Sequence, residues 1–188
     1  YKTPKIRKQE IKQMGILARA NYVYDNKYSV TATIRRDGDS RFNADSRYRN
    51  FPSAALAWTI SKENFMANAT AIDNWKLRFS AGSAGNSGTR PNDSRETFVD
   101  YKYEFGDGYY TGGGSRLLVD ENLTWQTTNQ YDFGSDISLF KKRISFVTDI
   151  YYRHTKDLIL DSPLAPNTGY VMYRTNAGEL ANWGLELA

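Results

Sequence analysis

Between Ile16 and Arg36 (ILARANYVYDNKYSVTATIRR) apolar or aromatic side chains fall on every second position. They are Ile16, Ala18, Ala20, Tyr22 and Tyr24, then, past Asp25-Asn26-Lys27, Tyr28, Val30, Ala32 and Ile34. The interleaved positions include Arg19, Asn21, Ser29, Thr31, Thr33 and Arg35. Two alternating runs of about nine residues, joined by a short polar turn, predict a β-hairpin. Its length carries a second message. Strands of soluble proteins are mostly about five or six residues long, whereas a tilted strand crossing a bilayer needs roughly 9–11. The hairpin therefore points to a transmembrane β-barrel.

The same alternation recurs downstream. Over 51–60, Ala54, Leu56, Trp58 and Ile60 share one face, with Ser53, Ala55, Ala57 and Thr59 on the other. Trp75, Leu77, Phe79 and Ala81 alternate with Lys76, Arg78, Ser80 and Gly82. Over 123–140, Trp125, Tyr131, Phe133, Ile137 and Leu139 oppose Gln126, Gln130, Asp132 and Asp136. Ile144, Phe146, Ile150 and Tyr152 oppose Ser145, Asp149 and Arg153 within 143–157, and Trp183, Leu185 and Leu187 oppose Asn182, Gly184 and Glu186 within 179–188. The prediction is an all-β, antiparallel meander of about seven long strands.

The connections alternate in length. Turns 25–27 and 141–142 are short and 61–74 is of medium length, with a helical turn expected to open at Ser61. The stretches 37–50, 83–122 and 158–178 are long. FVDYKYEF (98–105) inside the longest one reads as an additional strand, and the glycine-rich GDGYYTGGGS after it reads as turns and a loop tip. Outer-membrane barrels have short periplasmic turns and longer extracellular loops, so the rhythm places 25–27, 61–74 and 141–142 in the periplasm and the long loops outside. The competing reading is a soluble secreted β-sandwich, a glycan-binding or adhesin protein. The two differ in where Ile16, Tyr22, Val30, Leu56, Leu77, Phe133, Ile137 and Leu185 point: outward on a barrel wall, or against a second sheet in a sandwich.

Composition narrows the choice further. The 188 residues contain no cysteine, which excludes disulfides and thiolate metal sites. Mean hydropathy is -0.66, and no apolar run approaches the length of a membrane helix. A barrel passes that test because its lumen-facing residues are polar. The 14 Tyr and 4 Trp suit interfacial aromatic girdles, the expected role of Trp58, Trp75, Trp125 and Trp183. The net charge of +4 is concentrated early, at Lys2, Lys5, Arg7, Lys8 and Lys12. Beyond them positive residues are scattered among acids, which argues against nucleic acid as a partner. Tyr1 at the start and Ala188 inside a strand both read as cuts, so residues 1–188 are expected to be a partial barrel domain.

Five stretches in order resemble the SusC/RagA family of TonB-dependent outer-membrane transporters: ARANYVYDNKYSVTATIRRDGDSRF (18–42), FPSAALAWTISKENFM (51–66), WKLRFSAGSAGNSG (75–88), ENLTWQTTNQYDFGSDISLFKKRISFVTDIYYRHTKDLIL (121–160) and NAGELANWGLEL (176–187). Asp39 and Gln126 depart from the family pattern. The resemblance implies a piece of the C-terminal half of a 22-stranded barrel in the bacterial outer membrane, without plug, TonB box or terminal strand. It further implies import of an oligosaccharide or peptide-like nutrient, a SusD-like lipoprotein partner and contact with TonB through the missing N-terminal region. No enzyme activity and no cofactor are expected.

Candidate chemistry is sparse. His154, beside Asp149, Arg153 and Asp157, lacks a nucleophile elbow or metal-spaced partner and reads as a polar wall residue. Asp37, Asp39 and Asp45 lack the glycine and the closing acid of a calcium loop, since Phe42 and Tyr48 occupy those positions. They read as a salt-bridged surface. Lys76 and Arg78 are expected to face the lumen, paired with acids of neighbouring strands or of the plug, or open to anionic solutes. The candidate ligand-binding residues are Tyr101, Tyr103, Phe105, Tyr109 and Tyr110 of the long outer loop, whose aromatic faces suit sugar rings or peptide side chains. Packing against one another, the membrane or the lipoprotein is the plainer reading of the same residues.

Overall fold

A computed structural model describes residues 10–90, 98–115, 117–170 and 172–188. The basic positions Lys2, Lys5, Arg7 and Lys8, and residues 91–94 of the glycine- and asparagine-rich stretch, lie outside them. Among the described residues twelve strands form: β1 (Gln13–Tyr24), β2 (Tyr28–Asp39), β3 (Tyr48–Thr59), β4 (Ile72–Asn86), β5 (Phe98–Phe105), β6 (Gly108–Ser115), β7 (Leu117–Leu118), β8 (Gln126–Leu139), β9 (Ile144–Lys156), β10 (Ile159–Pro163), β11 (Met172–Asn176) and β12 (Leu180–Leu187). Seven of them make one antiparallel sheet in the order β1-β2-β3-β4-β8-β9-β12. Among the described residues β5 and β6 pair only with each other, and β7, β10 and β11 form a small third sheet. Among the described residues no helix is long and apolar enough to cross a membrane.

The first hairpin closes at Asp25-Asn26-Lys27. Asp25 and Asn26 take positive φ (48° and 51°), a region that short polar side chains tolerate, and the Lys27 N–H donates to the Tyr24 carbonyl at 3.0 Å. Because Tyr24 pairs with Tyr28, every even-numbered residue of β1 and β2 falls on one face. The register carries that face across the whole sheet. Tyr22, Val30, Leu56, Phe79, Phe133, Ile150 and Leu185 are mutual partners in a single row from edge to edge. All seven are exposed. The adjacent row on the opposite face runs Asn21, Thr31, Ala55, Ser80, Asp132, Tyr151 and Gly184. Of the test positions, Ile16, Tyr22, Val30, Leu56, Phe133 and Leu185 are exposed and Leu77 and Ile137 half-buried. None is buried against a second sheet, so the sandwich expectation fails.

The sheet has a turn end and a loop end. At the turn end lie 25–27, 60–71 and 140–143; at the loop end lie 40–47, 87–90, 98–115, 117–125, 157–170 and 172–179. Two corrections concern the connections. The helical turn after β3 is a pair of 3₁₀ turns, Ile60–Lys62 and Asn64–Met66. The position before the first is Thr59, so Ser61 lies inside that turn and does not cap it. The run Gly112-Gly113-Gly114 is no loop tip but part of β6. The Tyr103 ring lies over Gly112 and the Tyr101 ring over Gly114, where an added Cβ would stand 3.1 and 3.2 Å from them. The glycines let the rings lie flat on the hairpin.

A third correction concerns Trp125. It is buried (5% exposed) together with Phe42, Phe51 and Leu123, and Ile159 packs against this cluster. Trp125 keeps the parity of β8 but precedes the strand, so that parity does not place it on the apolar face. Its ring centroid sits 5.1 Å from Phe42 and 5.8 Å from Phe51, and its indole N–H donates to the Ser46 carbonyl at 3.0 Å. Of the remaining tryptophans, Trp58 and Trp75 are half-buried on the apolar face and Trp183 is exposed there.

Candidate functional site

The polar face of the wall is organised around Arg78. In register, Arg78 of β4 lies beside Gly134 of β8, which lies beside Asp149 of β9. A Cβ at position 134 would meet Asp149 Oδ1 at 2.3 Å and Arg78 Nη2 at 2.7 Å. With only hydrogen there, the guanidinium reaches across β8 and donates to Asp149 Oδ1 at 2.9 Å. It also donates to Asp136 through Nε (3.0 Å) and Nη2 (2.9 Å). One cation thus ties three strands and two carboxylates, a bidentate geometry that fixes direction as well as charge. Lys76, one repeat along the same face, lies opposite Asp136 in register. Beside them a hollow of about 440 Å³ is lined by Arg19, Thr33, Ser53, Ser80, Gln130 and Asp132.

At the loop end the Phe42–Trp125 cluster is backed by a polar one. Asp39, buried at the end of β2, receives Arg41 Nε at 2.9 Å and Gln13 Nε2 at 2.8 Å, while Arg41 Nη1 donates to the Thr89 carbonyl at 2.6 Å. Arg41 also bonds Ser87. Asn43 donates to the Glu121 carbonyl, and Asn176 both accepts from the Thr124 N–H and donates to the carbonyls of Thr124 and Asp157. The three loops are therefore stitched into one cap. Sequence reasoning missed this cap, although its signal lies in RDGDSRF: the acid that departs from the family pattern, an arginine two residues on, then Phe42.

The five candidate aromatics divide between the faces of the β5–β6 hairpin. Tyr101, Tyr103, Phe105 and Tyr110 share one face, since Tyr103 pairs with Tyr110. Their rings are 6.1 Å apart, and Phe105 meets Tyr110 edge-on at 6.3 Å. Tyr109 is on the other face, opposite Glu104, whose carboxylate hydrogen bond pushes the phenol above its ordinary value. All five are exposed. Four residues thus form a platform and the fifth does not join it.

The other candidates do not assemble into a catalytic or metal group. His154 Nε2 is 2.7 Å from Glu179 Oε2, whereas Asp149 serves Arg78 and Arg153 donates to Gln130. Asp37 pairs with Arg35 and Asp39 with Arg41, and Asp45 is exposed apart from them. At the turn end, Glu63 accepts from Tyr28 Oη (2.5 Å) and Trp58 Nε1 (3.0 Å) and stands 3.5 Å from Lys27 Nζ. These donors hold its carboxyl below the usual range.

A sheet of membrane-spanning strands, apolar and uncovered on one face, polar on the other, with short connections at one end and long ones at the other, is the wall of a transmembrane β-barrel. The comparisons give it a family. Residues 3–188 match the family described as TonB dependent receptor-like, beta-barrel, and the chain belongs to it. It is 36% identical over 179 residues to TonB-dependent receptor P3 of Formosa agariphila, covering 95% of this chain and 18% of that protein. It is 34% identical over 181 residues to TonB-dependent receptor SusC of Bacteroides thetaiotaomicron, covering 93% of this chain and 18% of that protein. A solved structure of the RagAB peptide transporter superposes with a TM-score of 0.84 at 25% identity, over 94% of this chain and 19% of that one. The chain thus spans about a fifth of the length of these relatives. Its place is the bacterial outer membrane.

Proposed function

We propose that this chain is one wall of a TonB-dependent transporter that imports an oligosaccharide or peptide-like nutrient together with a SusD-like lipoprotein. The observation that carries the reading is the edge-to-edge row from Tyr22 to Leu185, apolar and exposed on one face and backed by a polar row on the other. Lipid solvates the first face. The second, with Lys76 and Arg78, faces the lumen. The turn end lies in the periplasm, and the stitched cap and aromatic hairpin lie outside, where cargo and lipoprotein arrive. The name of one relative bears on the cargo class: the RagAB structure is that of a peptide transporter. No bond-making step belongs to this wall, and the energy for transport comes through TonB at a region outside this chain.

The platform Tyr101–Tyr103–Phe105–Tyr110 is the cargo-contacting element. Stacking on aromatic faces contributes about 0.5–1.5 kcal/mol per ring beyond area burial. The test is a Tyr101→Ala, Tyr103→Ala and Tyr110→Ala variant of the complete transporter, read by cargo binding and by co-purification of the lipoprotein. Cargo affinity should fall at least tenfold with co-purification unchanged. Loss of the lipoprotein with unchanged cargo affinity contradicts the assignment.

A further inference from the structure

We propose that the turn at 140–143 is a binding site for the phosphate of an anionic phospholipid headgroup at the membrane boundary. Phe140, Lys141 and Lys142 take φ of 54°, 61° and 61° in succession, a left-handed run that L side chains avoid. The equivalent turn of the first hairpin uses Asp25 and Asn26, residues suited to that region. Here three unsuited residues stand in a row, and backbone strain of this kind gathers at sites of function.

The turn is held from outside itself. The Lys142 N–H donates to Asp73 Oδ2 at 2.8 Å and the Phe140 N–H to the Ala71 carbonyl at 3.0 Å. Asp73 is the extra residue where the β4–β8 register shifts between Ile72 and Asn74, so the irregularity aims its carboxylate at the turn. With its backbone fixed, the turn leaves Phe140, Lys141, Lys142 and Arg143 exposed. Among the described residues no salt bridge uses Lys141, Lys142 or Arg143, nor the exposed Lys62 of the neighbouring connection. Asp73 is the acid in contact with the turn.

Position supplies the occupant. The pairs Leu139–Ile144 and Ile137–Phe146 adjoin the turn on the apolar face, so the cations sit at the border where that face ends. An exposed aromatic beside three cations at this border matches headgroup chemistry: the ring enters the interface and the cations meet phosphate. The assignment rests on the proposed orientation, with the turn end at the inner leaflet.

The test compares lipid retained by the complete transporter in native mass spectrometry after supply of phosphatidylglycerol or phosphatidylcholine. The wild type should retain phosphatidylglycerol preferentially. Each of Lys141→Gln, Lys142→Gln and Arg143→Gln should lower retention by about fivefold, a cation near an anionic surface being worth about that much. Equal retention in all variants overturns the proposal, as does displacement of the lipid by inorganic phosphate alone. Lys141→Gly guards against a folding artefact. Glycine suits the positive φ, so its thermal midpoint should rise while lipid retention falls; unchanged retention overturns the proposal. A membrane-impermeant maleimide on Lys142→Cys judges the orientation separately. Labelling only after the outer membrane is opened supports the periplasmic side, whereas labelling of intact cells overturns the orientation and leaves the lipid comparison to judge the turn itself.

Discussion

The wall and the cap are held together in different ways. In the wall, seven strands carry their apolar residues on a face that no other described part of the chain covers. The cap at the loop end has an interior of its own: Phe42 and Leu123 are completely buried, with Phe51 and Trp125 almost so. One region relies on backbone ladders and a solvent to be supplied by lipid; the other relies on burial, as a soluble protein does. The contrast explains the many exposed Leu, Ile and Phe of the wall, and it explains why the cap's loops are not free tethers.

Trp125→Ala is the strongest way to break the contrast. Removing a buried Trp typically costs about 3–5 kcal/mol, and here the loss should stay local. Hydrogen exchange should accelerate across 40–47 and 119–125 while β1 and β2 keep their protection. A charge on the wall comes next. Phe133→Arg, in the centre of the apolar row, should destabilise the barrel by about 2–4 kcal/mol in bilayers, measured by reversible unfolding in vesicles. Ser80→Arg on the opposite face should change stability far less. The Arg78 crossing is a smaller test. Gly134→Ala places a methyl in the path of the guanidinium and should cost about 1–3 kcal/mol as overpacking; combining it with Asp149→Asn should give less than the sum, because both act on one contact.

The smallest effect is a pH dependence at the loop end. Arg174 donates to Asp161 at 2.6 and 2.8 Å, with Arg90 at 3.3 Å, and these hydrogen bonds hold the Asp161 carboxyl below its ordinary value of 3.8. The folded state therefore binds the proton more weakly than the unfolded chain. The stabilisation is fully present above pH 3.8 and is lost as pH falls through the lower folded value. Exchange at β10 and β11 should speed up only in that acid window, with Asp161→Asn abolishing the pH step.

Alternation made the wall legible before any coordinates. The turn at 25–27, the parity of every long strand and the pairing of Arg78 with acids all follow from period two and charge. The lengths followed less well, because strands here continue past their apolar band. β2 reaches Asp39 and β4 reaches Asn86, with residues that no hydrophobic pattern marks. Trp125 was misplaced for a related reason: it keeps the strand's parity but lies one residue outside the strand. Gly112-Gly113-Gly114 read as a loop because local composition cannot report the tyrosines across the hairpin. The cap was hidden because the contacts that join its loops link positions far apart in sequence, such as Arg41 with Thr89 and Trp125 with Ser46.

The claim that the apolar row from Tyr22 to Leu185 meets lipid has one direct measurement. Spin labels placed singly at Thr31, Ser80 and Asp132 and at Val30, Phe79 and Phe133 of the complete transporter in bilayers would be read for collision with oxygen and with a water-soluble nickel chelate. The account predicts that Val30, Phe79 and Phe133 meet oxygen and exclude the chelate, while Thr31, Ser80 and Asp132 do not share that lipid signature. Chelate access at Val30, Phe79 and Phe133, or no alternation between the two sets, would contradict it.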